Sequence, residues 1–198
     1  MDREAAARAI DAFLIAIGRD PKVERDLEGT GARVADAYLD ELCAGYAVDV
    51  DALVRQATIP AENSGVAGSA AGGTAQTSIV ELRDVAVTTM CPHHLMAGVG
   101  KATVGFAPRG KILGVGAIAR LLDAFARRLT LQEAIGEGVV LAIEKNLAPR
   151  WVACRIEMTH ACMVARGERT HGAKLVTFAM RGVDDAARAE AISFVQAP

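Results

Sequence analysis

Apolar positions recur at intervals of three and four over Ala5 to Ile17, where Ile10, Phe13, Leu14 and Ile17 mark one face of a helix. A second helix is expected from about Ala32 through Leu42, with Val34, Tyr38 and Leu42 on a common stripe and Gly45 as its stop. Between Pro60 and Thr77 the periodicity gives way to Gly, Ala and Ser, and no regular element is expected there. From Ser78 the period shortens. Ile79, Leu82, Val85 and Val87 alternate imperfectly, as in a strand that carries a bulge. Gly98 to Phe106 reads as a second strand, Pro108-Arg109-Gly110 as a turn, and Lys111 to Val115 as a short third strand. Two helical runs follow. Ile118 to Leu129 carries the stripe Leu121, Leu122, Phe125 and Leu129, and Leu131 to Leu147 continues in spite of Gly136 and Gly138. Strands return at Trp151 to Thr159 and at Lys174 to Met180, and Asp184 to Val195 reads as a short amphipathic helix.

Strands on either side of a helical stretch predict an α+β fold: an antiparallel sheet with two long helices packed on one face, preceded by an N-terminal helix pair. We expect a helical segment over 1–45, a flexible Gly/Ala/Ser-rich linker over 46–77, and the main domain over 78–198. Composition narrows the partners. With 22 Lys+Arg against 24 Asp+Glu and 4% aromatic residues among the 198, neither a broad basic footprint nor a base-stacking platform is available, so no nucleic acid is expected. The chain is 52% hydrophobic, yet no run approaches the roughly 18 apolar residues that span a bilayer. No membrane partner is expected, and the apolar surplus points to contacts between subunits. The start, Met1-Asp2-Arg3-Glu4, places acids where a signal peptide has a basic patch, so a cytoplasmic location is expected.

Candidate chemistry is concentrated in two short segments. The four histidines are His93, His94, His160 and His171, and the four cysteines are Cys43, Cys91, Cys154 and Cys162. Cys91-Pro92-His93-His94 puts thiol and imidazole donors close enough for Cys91 and His94 to chelate one ion from a loop. Thr159-His160-Ala161-Cys162 ends a predicted strand, and on a strand residues 160 and 162 share a face, so His160 and Cys162 can serve the same pocket. No paired C-x-x-C knuckle is present to close a structural site. Three protein ligands with spare histidines describe an open metal site suited to hydrolysis. Cys43 and Cys154 sit within apolar patterns and read as core residues.

These residues resemble the GTP cyclohydrolase I family. The resemblance rests on Cys91-Pro92-His93-His94-Leu95, Gly100-Lys101-Ala102, the run Phe125-Ala126-Arg127-Arg128-Leu129-Thr130-Leu131-Gln132-Glu133, and Thr159-His160-Ala161-Cys162-Met163-Val164-Ala165-Arg166-Gly167, in the family's order and spacing across residues 28–182. It implies the tunnelling fold, a ring assembly that is usually a homodecamer, and active sites between subunits. It also implies Zn²⁺ held by Cys91, His94 and Cys162, with His93 and His160 as catalytic histidines. The activity implied is cyclohydrolase chemistry in pterin and one-carbon metabolism: hydrolytic opening of the imidazole ring of GTP at C8, loss of formate, and closure to dihydroneopterin triphosphate. Glu133 would bind the guanine edge with Gln132 beside it, and Arg33, Arg120 and Arg166 would serve as substrate-binding cations.

The phosphate end departs from the family pattern. Where the family carries Leu-Ser-Lys before the helix, this chain has Val115-Gly116-Ala117, and the lysine three positions after Arg33 is replaced by Asp36. Charge-assisted hydrogen bonds contribute roughly 1.5–3 kcal/mol each. Losing two such groups is therefore enough to move substrate preference. Alternative readings are the same zinc-dependent ring opening on a guanine-related compound without a triphosphate, and a catalytically silent ring subunit.

Overall fold

The computed structural model describes residues 1–60, 78–167 and 169–196. Helix α1 (Arg3–Ala16) starts at Asp2, whose carboxylate accepts a hydrogen bond from the Ala5 amide at 2.9 Å. It packs against α2 (Thr30–Asp36), which widens without interruption into a π-helical turn over Ala37–Leu42. That turn closes with Cys43 N–H donating to Tyr38 O at 2.8 Å. The expected helix pair is therefore present, with its second member changing pitch half-way along.

Helix α3 (Val50–Ala57) and strand β1 (Thr58–Pro60) follow. Residues 46–60 thus correct the expected linker. Asp49 caps α3 through the Ala52 amide at 2.9 Å, and Val54 is fully buried in the main core. An eight-residue helix is short, but Val50, Leu53, Val54 and Ala57 recur at helical intervals and give it an apolar face to bury. The rest of the expected linker, residues 61–77, lies outside the described residues.

Strands β2 (Val80–Met90), β3 (Ala97–Ala107), β5 (Trp151–His160) and β6 (Leu175–Gly182) form an antiparallel sheet in the order β2-β3-β5-β6. The expected bulge is found between Leu82 and Val85, where Asp84 adopts a positive φ of 53°. Strand β4 (Lys111–Leu113) pairs with β1 in a separate two-stranded ribbon. Helices α4 (Val115–Ala126) and α5 (Gln132–Leu147) cover one face of the large sheet.

Alternation along β5 organises the packing. Val152, Cys154, Ile156 and Met158 turn toward Ile118, Leu121, Leu122, Ile135, Val139 and Ile143 of the two long helices. Trp151 and Ala153 turn to the other face, where α7 (Asp185–Gln196) covers them with Ala187, Ala191 and Val195. The two long helices share one face, as expected, and α7 adds a helix on the other. The covering by α7 is partial: beyond it the same face carries Lys101, paired with Asp84, and Glu157, paired with Arg155 and Lys174. Between β5 and β6 lies the short helix α6 (Ala161–Val164). The fold is α+β, consistent with the tunnelling fold. Among the described residues no helix is long and apolar enough to cross a membrane.

Candidate metal centre

Cys91 is the first residue after β2 and is buried; the following turn exposes His93 and His94. Two backbone hydrogen bonds close this turn: Leu95 N–H donates to Cys91 O and Cys91 N–H donates to Met96 O, each at 2.9 Å. Leu95 takes a positive φ of 51°, and the Tyr38 hydroxyl donates to its carbonyl at 2.9 Å. The π-helical turn thereby tethers the histidine loop. This contact, between residues 57 positions apart, leaves no signal in sequence spacing.

Cys162 arrives differently from the sequence expectation. Strand β5 ends at His160, and the chain turns into α6, so Cys162 approaches by a helical turn rather than by strand alternation. The donor atoms of Cys91, His94 and Cys162 all lie within 4.8 Å of one another, with Cys91 Sγ 3.7 Å from His94 Nδ1. Ligands at about 2.3 Å for sulfur and 2.0 Å for nitrogen around one tetrahedral ion stand roughly 3.5 Å apart, so the donor set fits a single ion. Burial and the neighbouring Cys91 sulfur push the Cys162 thiol above its ordinary value. A cation between the two sulfurs would offset that penalty.

His160 sits at the same end of the sheet and is half-buried, with its Nε2 2.9 Å from Gln132 Oε1. Burial lowers its pKa, and the charge of Glu133 opposes that shift. Glu133 is exposed in the first turn of α5. Gln132, expected beside Glu133 on the substrate, is instead only 1% exposed and points into the protein. Successive helix residues are separated by about 100°, which sends these neighbours to opposite environments.

A sequence profile of the family described as GTP cyclohydrolase I matches residues 6–197. The chain belongs to the GTP cyclohydrolase I family. It is 38% identical to the GTP cyclohydrolase 1 of Desulforamulus reducens over 192 residues, covering 95% of this chain and 94% of that protein. It is likewise 38% identical to that of Halalkalibacterium halodurans over 200 residues, covering 99% and 98%. With the GTP cyclohydrolase 1 of Bacillus subtilis the identity is 37% over 200 residues, covering 99% and 97%.

In this cyclohydrolase the expected cations are dispersed. Arg166 reaches the metal-type cluster, its Nη1 2.8 Å from His94 Nε2. Arg33 is turned back on its own helix start, donating to Glu28 O at 2.8 Å and to Thr30 Oγ1 at 3.0 Å. Arg120 is exposed on α4 and lines an open cavity of about 500 Å³ with Asp49, Gln56 and Ala57, which includes none of the cysteines or histidines. Asp36 is paired with Arg3, which also holds Asp40 at 2.6 Å. The metal-type residues lie at the sheet end that holds His160, whereas Arg33 bonds to its own helix start and Arg120 lines a different cavity.

Proposed function

We propose that this chain is a zinc-dependent cyclohydrolase that opens the imidazole ring of a guanine-type purine at C8, with GTP as substrate and formate and dihydroneopterin triphosphate as products. The observation that carries the reading is the convergence of Cys91 and His94, from the turn after β2, with Cys162, from α6, at the sheet end that also holds His160. Two thiolates with one imidazole favour zinc over ions that prefer oxygen ligands. When bound, the ion supplies Lewis acidity at the coordination position that three protein ligands leave open.

The chain's own groups account for the remaining steps. Glu133 accepts hydrogen bonds from the N1–H and 2-amino group of guanine; adenine lacks both and would leave the carboxylate unpaired. His93 and His160 hold and move protons. A proton delivered to purine N7 makes C8 electrophilic enough for water to add, and the same groups serve the second hydrolysis that releases formate. Arg166 faces the anionic part of the substrate. Arg33 and Arg120 contribute from neighbouring subunits in a ring, a homodecamer with active sites between its members.

A second reading is favoured by one feature. Asp36 is held by Arg3, and Gly116 and Ala117 offer neither hydroxyl nor ammonium for a phosphate chain. On that basis the substrate is a guanine-related compound without a triphosphate. The deciding experiment is a mass-spectrometric time course of the zinc-loaded protein with GTP, GMP, guanosine, guanine and 8-oxoguanine, recording formate and fluorescent pterin. Pterin and formate from GTP alone support the first reading. Ring opening of a phosphate-poor compound without pterin supports the second, and no ring opening on any of them rejects both.

A further inference from the structure

We propose that Gln132 is a positioning residue that holds His160 in the tautomer with its hydrogen on Nε2 and Nδ1 bare, and that Gly98 leaves the space this ring orientation needs. The inference rests on the reading of His160 as a catalytic histidine and names which ring nitrogen carries the hydrogen.

The orientation of the Gln132 amide is settled by its surroundings. Its nitrogen lies 3.0 Å from Ile156 O, 3.1 Å from Leu175 O and 3.0 Å from Thr177 Oγ1. The two backbone carbonyls can only accept, so the NH₂ end must face them. Turning the amide over would set its oxygen against two carbonyl oxygens in a site that is 1% exposed, where the repulsion is costly. The amide oxygen is thereby aimed at His160 Nε2, 2.9 Å away. An amide oxygen cannot donate, so Nε2 carries the hydrogen. A neutral imidazole has one such hydrogen, which leaves Nδ1 as the bare nitrogen.

The opposite edge of the ring explains why residue 98 has no side chain. Gly98 is paired with His160 across β3 and β5, and a Cβ at that position would lie 2.6 Å from His160 Nδ1 and 2.8 Å from Cε1. Any larger residue would displace the ring or cap the nitrogen that the tautomer leaves free. One neighbour therefore fixes the tautomer, and the other leaves room for the ring that carries it.

The test is ¹⁵N NMR of the full-length protein labelled at histidine. Only four rings contribute, and His160 is assigned by its loss in His160→Gln. The wild type is expected to show a protonated-type Nε2 and an unprotonated-type Nδ1 for this ring. Gln132→Met, close in length but without an acceptor, should give a mixture of tautomers and a kcat for formate release lower by on the order of ten- to a hundredfold, with KM little changed. Gln132→Glu retains an acceptor toward Nε2 and should preserve the tautomer while lowering the thermal midpoint. A hydrogen on Nδ1 in the wild type overturns the proposal whether or not the variants fold. So does an unchanged tautomer in Gln132→Met, because a merely structural role moves stability alone. The expected tautomer in a protein that opens no purine ring would uphold the hydrogen-bond assignment and reject the proposed function separately.

Discussion

Gly98 and His160 face each other across the β3–β5 pair so closely that a single added methyl group would stand 2.6 Å from the imidazole Nδ1. Gly98→Ala is therefore expected to swing or tilt the ring and stretch its hydrogen bond to Gln132. Overpacking of this kind costs about 1–3 kcal/mol of stability, and the larger effect should fall on catalysis. Thermal melts paired with formate-release assays measure both. Full activity in this variant would show that the ring has somewhere else to go.

The three-donor cluster makes a stoichiometric prediction. After zinc loading and desalting, the wild type should retain about one ion per chain, and Cys91→Ser or Cys162→Ala close to none. Cys43 and Cys154 are buried away from the cluster, so Cys43→Ala should retain the wild-type amount. Elemental analysis by mass spectrometry reads the outcome, and equal zinc in Cys162→Ala would remove that residue from the ligand set.

Alkaline stability should carry the mark of Cys154. Burial beneath α4 and α5 pushes its thiol up to about 12 from an ordinary value near 9. Below pH 9 the thiol is protonated in both the folded and the unfolded chain and adds no pH dependence. Between about pH 9 and 12 the unfolded chain releases the proton and the folded chain does not. Stability therefore falls as pH rises, by up to about 1.4 kcal/mol per pH unit from this group. Cys43 is shifted in the same direction by burial. Urea midpoints followed across this range should decline more steeply for the wild type than for Cys154→Ala. Parallel curves would contradict the assignment.

Arg3 holds α1 against α2 through Asp36 and Asp40, and α1 itself has no buried residue. Arg3→Ala should speed hydrogen exchange across Arg3–Ala16 while leaving the core strands protected. The same loosening should follow in the wild type at high salt, since exposed ion pairs are screened. If exchange in α1 were unaltered, another contact would have to hold the helix.

Much of this architecture is legible in the hydrophobic pattern, and the exceptions have physical causes. Strands β2, β3, β5 and β6 and helices α4, α5 and α7 lie within a few residues of where periodicity predicts them, because each has an extended apolar face to bury. Helix α3 is obscured by its eight residues and by the Gly/Ala-rich stretch that follows, although Asp49 and the spacing of Val50, Leu53 and Val54 carry a signal. The widening of α2 at Ala37 has no counterpart in residue type. At the site, scarcity made the cysteines and histidines conspicuous. The inward turn of Gln132 was hidden because adjacency to Glu133 in sequence suggests a shared task, whereas the helix separates the two.

The two arms of the cysteine–histidine cluster hang from strands that do not touch. Cys91 follows Met90, which is paired with Ala97 of β3, and Cys162 follows His160, which is paired with Gly98 of the same strand. Strand β3 is thus the common ruler. A slip of one residue on either side would move one arm by about 3.3 Å and turn it toward the wrong face, and the donors would no longer enclose a single ion. Metal capture would then work as a proofreading step for the sheet: only a chain whose three strands had aligned correctly could be locked by an ion, and misregistered chains would stay unlocked and free to rearrange.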